Sequence, residues 1–189
     1  MEPEYKLQDI PQEFFQDAEG KAFCECTFCG DELSDENAYM IEKAFKANPE
    51  TGVKVTLYEY AICMSCSMKK MEAMSEESVQ NIQMYMQENV YDKWGGDEIP
   101  KNYKDKLTTC PATGNSIESL QEYNYVGQFV GDKMMLGTFP MAIDASLGES
   151  MQDLLSDSTK KEFDDFMDTI TDIPPELKEL FKSKRPVLV

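Results

Sequence analysis

Four of the six cysteines fall into two pairs of identical spacing: Cys26 and Cys29, followed by Gly30, and Cys63 and Cys66. Zn2+ takes four tetrahedral ligands, and a Cys-x2-Cys turn sets two thiolates on one side of it at about 2.3 Å. Two such turns fill the shell and leave no position for water. The pattern therefore predicts a structural Zn2+ site with no hydrolytic role. Cys24 competes with Cys26 for the first position, but Cys24-x4-Cys29 makes a poorer turn.

Several elements must carry these pairs. Residues 1–22 are polar and acidic, with aromatic spots at Tyr5, Phe14 and Phe15, and read as an arm or a short helix. Residues 39–45 alternate like a strand, 48–52 supply turn residues, and 53–62 are rich in β-formers, so a β-hairpin is expected. Val53, Val55 and Leu57 share one face while Tyr58, Tyr60 and Ile62 share the other, which implies a bulge or burial on both sides. Ser65 is expected to cap a helix carrying Met64, Met68 and Met71, with Cys66 in its first turn. These methionines read as core filling beneath the hairpin, whereas a partner groove would expose them as an apolar patch. Ser75 is expected to cap a second helix through Val79, Ile82 and Met86 to about residue 91, with Glu76 and Glu77 in its first turn.

The fold class expected is α+β: a zinc module over 23–91, a linker over 92–109 marked by Gly95, Gly96 and Pro100, and a C-terminal mixed region over 110–189. In that region 122–130 and 133–143 read as two strands, with Pro140 at an edge or a strand end. Three helical stripes follow: Met151, Leu154 and Leu155; Phe163, Phe166, Met167 and Ile170; and, beyond Pro174 and Pro175, Leu177, Leu180 and Phe181. Each half runs hairpin then helices, but no internal repeat is evident.

A turn with one cysteine pair, a hairpin, and a helix whose first turn carries the second pair resemble the treble-clef group of zinc fingers over residues 26–74. The resemblance implies that Cys26 and Cys29 ligate from the turn and Cys63 and Cys66 from the helix start. Rubredoxin-type iron sites have two matching turns. Here Ser67 and a helix follow the second pair where such a site has glycine, so iron is the second choice of metal.

Composition narrows the function classes. Asp and Glu total 36 against 18 Lys and Arg, a formal charge of −18. Such a chain repels a phosphate backbone, so no direct nucleic-acid ligand is expected. With no histidine and Arg185 the only arginine, imidazole acid–base catalysis and bidentate phosphate clamps are largely excluded. No window approaches the roughly 20 apolar residues of a membrane span. The first residues lack a secretory pattern, so a cytoplasmic protein is expected. Asp164, Asp165, Asp168 and Asp172 read as a solvated helix face and match no EF-hand loop.

The function expected is a non-enzymatic protein-interaction or adaptor role, with zinc shaping a module that selects a partner with a basic surface. Two readings compete with it: a thiol-dependent enzyme or redox factor using Cys24 or Cys110, and an acidic accessory factor acting on a nucleic-acid-binding protein.

Overall fold

The computed structural model describes residues 5–34, 37–94 and 99–170. The third helical stripe, at 177–181, and Asp172 lie outside these residues. The class is α+β, as expected: among the described residues there are four α-helices of seven residues or more and a six-stranded antiparallel sheet. Strand β1 (Lys6–Asp9) is followed by the hairpin of β2 (Ala38–Ala47) and β3 (Lys54–Cys63), then by helices α1 (Met64–Ala73) and α2 (Glu76–Met86). After α2 the chain continues helically, through a π turn, to Trp94. Strands β4 (Glu122–Val130), β5 (Lys133–Leu136) and β6 (Met141–Asp144) precede α3 (Ser146–Gln152) and α4 (Asp157–Ile170).

Residues 133–143 form two short strands, where a single strand was expected. Pro140 has no N–H to donate to a ladder, and the chain turns through 137–140 before pairing resumes at Met141. Residues 5–14 hold a strand and a 3-10 turn, where an arm or helix was expected. The expected bulge is present: Ala44 pairs with Tyr58 and Phe45 with Thr56, so Leu57 is the extra residue.

The sheet order is β1-β5-β4-β2-β3, with β6 also paired to β4. β2 therefore lies between β3 and β4, and the hairpin bearing the cysteines shares one sheet with the later strands. Alternation sends Tyr39, Ile41, Phe45, Tyr123, Tyr125 and Phe129 to one face, where they pack with Phe14 and Phe23. Leu107, within 92–109, joins the same cluster, and Tyr103 donates to Glu13 at 3.1 Å. The other face carries the helices through Val126, Met141, Ile143, Ile82, Met86 and Phe163, and through Ala44, Tyr58, Tyr60, Phe166 and Met167.

An internal repeat, missed in the linear sequence, organises this arrangement. The first half maps onto the second in two stretches, Tyr39 onto Tyr123 and Phe45 onto Phe129 before the hairpin turn and, at an offset three residues shorter, Cys63 onto Asp144 and Ser75 onto Ser156 after it. β2 and β4 pair with Tyr39 opposite Phe129, Phe45 opposite Tyr123, and Glu42 opposite Val126, its own counterpart. That register is the signature of a local two-fold axis. The helices obey it too. Ser75 caps α2 by accepting from the Ser78 N–H (3.2 Å), and Ser156 caps α4 by accepting from the Thr159 N–H (3.3 Å). Across the axis the Ser75 N–H donates to Thr159 Oγ1 (3.0 Å), the Ser156 N–H donates to Ser78 Oγ (2.9 Å), and the two serine hydroxyls meet at 3.0 Å.

Candidate metal centre

The turn at 26–31 is built by backbone hydrogen bonds from the Cys26 N–H to the Asp31 carbonyl (2.8 Å) and from the Gly30 N–H to the Cys26 carbonyl (2.9 Å). Gly30 has φ +73°, a left-handed conformation that glycine adopts without steric cost. The turn is fixed to β3 where the Thr27 N–H donates to the Ala61 carbonyl (2.9 Å) and the Ala61 N–H to Thr27 Oγ1 (3.1 Å). This places Cys26 and Cys29 over the end of β3, where Cys63 leads directly into α1.

The structure brings Cys26, Cys29, Cys63 and Cys66 together, their Sγ atoms all within 4.8 Å of one another. Cys29 Sγ and Cys63 Sγ are 3.8 Å apart, which is the sulfur–sulfur spacing, about 3.8 Å, of a tetrahedron with metal–sulfur bonds of about 2.3 Å. The cluster could hold a metal ion, and a tetrahedral four-sulfur donor set suits zinc or iron. Cys24 is exposed and outside the cluster.

The N–H groups around the cluster favour anionic sulfur. Cys63, and not the expected Ser65, is the N-cap of α1; its sulfur accepts the Cys66 N–H at 3.4 Å. Cys26 Sγ accepts the Cys63 N–H, also at 3.4 Å. Burial pushes the Cys26 thiol up, but N–H donors from Cys63, Cys29 and Phe28 outweigh it and hold the group at about 7. Burial, together with the neighbouring Cys29 and Cys63 sulfurs and the Cys26 charge, drives the Cys66 thiol up. Four crowded thiolates repel one another without a cation between them, so metal affinity and thiol deprotonation are linked.

The second half repeats this scaffold with a different chemistry. Cys110 occupies the place of Cys26, Thr113 that of Cys29, and Gly114, at φ +74°, that of Gly30. The same pair of turn hydrogen bonds recurs, both at 2.9 Å. Tyr39 pairs with Cys63, and Tyr123 pairs with Asp144. Asp144 takes over the fastening. Its carboxylate accepts from Asn115 Nδ2 (3.0 Å), Thr113 Oγ1 (3.4 Å) and the Ser146 N–H (3.0 Å). Leu147, in the place of Cys66, is buried, as is Cys110. The sequence signal for this twin was present in Cys110 and Gly114, but without a second cysteine it reads only as a turn.

Burial alone would push the Asp144 carboxyl up, but donation from Asn115, Ser146 and Thr113 holds it below the ordinary 3.8. The unfolded chain then takes up the proton first. The stability Asp144 adds is complete above the ordinary carboxylate range and is lost as pH falls through its lowered folded value. Asp144→Ala, which removes the shared acceptor of the Asn115 amide and the Ser146 N–H, both at exposed residues, is expected to cost about 0.5–1.5 kcal/mol in a denaturant melt. An unchanged midpoint would show that the turn holds without it.

No protein-family model, curated protein or solved structure matches the chain.

Proposed function

We propose that this chain is a zinc-held protein-interaction module without catalytic activity of its own, acting in a reducing cytoplasm on a partner with a basic surface. The observation that carries the reading is what the cysteine cluster holds in place. Four thiolates leave a tetrahedral metal no open position for substrate, and the helix that starts at the cluster, α1, buries none of its residues. Met64, Met68 and Met71 were expected in the core, but they are 39%, 55% and 43% exposed. The metal thus fixes a helix whose side chains offer apolar surface to something else.

Zinc is favoured over iron because the second pair opens a helix, where rubredoxin-type iron sites have a second turn matching the first. The order of turn, hairpin and helix supports the treble-clef-like reading of 26–74. The excess of carboxylates supports a basic partner and disfavours direct nucleic-acid contact. Cys110 has no solvent exposure, which gives thiol chemistry there no support.

The test uses the metal-loaded protein, immobilised and exposed to a defined mixture of purified acidic, neutral and basic proteins at about 0.15 M salt. Selective retention of basic members by the wild type, and loss of that selectivity in Cys63→Ser, are expected. Equal retention by both forms would reduce the interaction to unspecific charge attraction and remove the metal-held module from the explanation.

A further inference from the structure

The two related halves allow a comparison within one chain: positions equivalent by the local two-fold should carry similar side chains if they only serve the fold. Buried positions do. Ile82 corresponds to Phe163 and Met86 to Met167, and the half-buried Met74 to Leu155. Four exposed or half-buried positions on α1 and α2 are apolar in the first half and polar in the second. Met68 faces Glu149 across the correspondence, Met71 faces Gln152, Val79 faces Lys160 and Met84 faces Asp165. The second half shows that this scaffold tolerates polar groups there, so its stability does not require the apolar residues of the first half. Met68 and Met84 are 55% and 62% exposed, which disfavours burial within this chain as their purpose.

Two of the diverging residues, Met71 and Val79, line a groove. With Met74, Ile82, Met86 and Tyr91 they enclose a cavity of about 410 Å3 between α1 and α2. An amphipathic helix binds by laying its apolar stripe into an apolar groove of this kind. Methionine is unbranched and polarizable and conforms to varied apolar partners. The helical segment that forms the groove is acidic: Glu72, Glu76, Glu77, Glu88 and Asp92 are all exposed, against the exposed Lys69 and Lys93 at its two ends. On the far side of α1, Lys70 is turned away from the groove and stacks over Phe28 and Phe166 at 4.8 and 4.0 Å.

We propose that the groove between α1 and α2 docks a basic amphipathic helix of a partner protein, its apolar stripe on the methionines and its lysines or arginines towards the carboxylates of the same helical segment. This rests on the interaction reading above and assigns its site and the chemistry of its partner. The acidic excess disfavours an acidic helix by the same charges that attract a basic one.

The probe is a synthetic 18-residue Leu/Lys amphipathic peptide, compared with a scrambled peptide of the same composition and a Leu/Glu analogue, titrated into the full metal-loaded chain. Fluorescence anisotropy is expected to show binding of the amphipathic Leu/Lys form only, with 13C-methyl shifts concentrated at Met71, Met74 and Met86. In Met71→Glu/Val79→Lys, which installs polar groups like those of the second half, affinity is expected to fall at least tenfold while the melting midpoint and metal content stay at wild-type values. Equal affinity in that variant would overturn the groove and leave the interaction reading standing. Equal binding of the scrambled peptide would overturn the helix assignment. Self-association of the free chain that the same variant abolishes would replace the partner helix by a second copy. Binding of none of the peptides would overturn the inference, and together with no retention of basic proteins would remove the interaction reading as well.

Discussion

Cys63→Ser is expected to lose the metal and, with it, the cooperative melting of residues 24–91. The substitution separates two roles of one side chain. Cys63 caps α1 by accepting the Cys66 N–H, and a serine oxygen accepts such a bond at least as well, so helix capping survives the change. Metal ligation does not. Structural zinc in small modules supplies an apparent 10–16 kcal/mol at neutral pH, roughly the whole stability of a domain. The damage should also spread, because β2 is hydrogen-bonded on one side to β3, which ends at Cys63, and on the other to β4 along its length. Elemental analysis should find about one zinc per wild-type chain and none in the variant. The repeat fixes that number, because the second scaffold presents Cys110, Thr113, Asp144 and Leu147 where the first presents four cysteines. Stoichiometric metal in Cys63→Ser, or two metals in the wild type, would sink the assignment.

Glu42→Ala is expected to be the most damaging substitution remote from the metal, costing about 2–6 kcal/mol, or on the order of 10 °C in Tm for a chain of this size. Glu42 is 2% exposed on the helix face of β2. Its carboxylate accepts from Tyr58 Oη (3.1 Å), Tyr60 Oη (2.6 Å) and Asn124 Nδ2 (2.6 Å), tying three adjacent strands together under the helices. Burial, and after it the Glu42 charge, hold both tyrosine hydroxyls well above their ordinary range. They remain donors at every pH the fold survives. Removing the carboxylate strands those buried donors, whereas Glu42→Gln keeps one acceptor and should lose less than half as much. Zinc content should be unchanged in both variants. A Tm within about 2 °C of wild type for Glu42→Ala would show that the network is not holding the sheet.

Much of the local structure was legible in the chain. Spacing identified the four cysteines that converge, because Cys-x2-Cys is a local constraint the turn satisfies by itself. The hairpin, its bulge, the Ser75 cap and the helical stripes of α3 and α4 were equally local, set by β-propensity, turn residues and periodicity. The methionines of α1 were misread for a related reason. Periodicity shows that Met64, Met68 and Met71 lie together on a helix, but it cannot say whether anything packs on that side, and here nothing in the described residues covers them.

The sequence by itself determined which four cysteines converge and most of the secondary elements, since both depend on residues a few positions apart. Only the tertiary structure decided the rest. That β2 pairs with β4, that Ser75 meets Ser156, and that Cys110, Thr113 and Asp144 rebuild the first half's scaffold without metal are all contacts between residues far apart in the chain. Their register is set by a shared core and a local two-fold axis. Thr113, Asp144 and Leu147 stand where the first half has three of its four cysteines, so the motif that would announce the repeat is missing from the second half, while hydrogen bonds to a buried carboxylate hold the same shape.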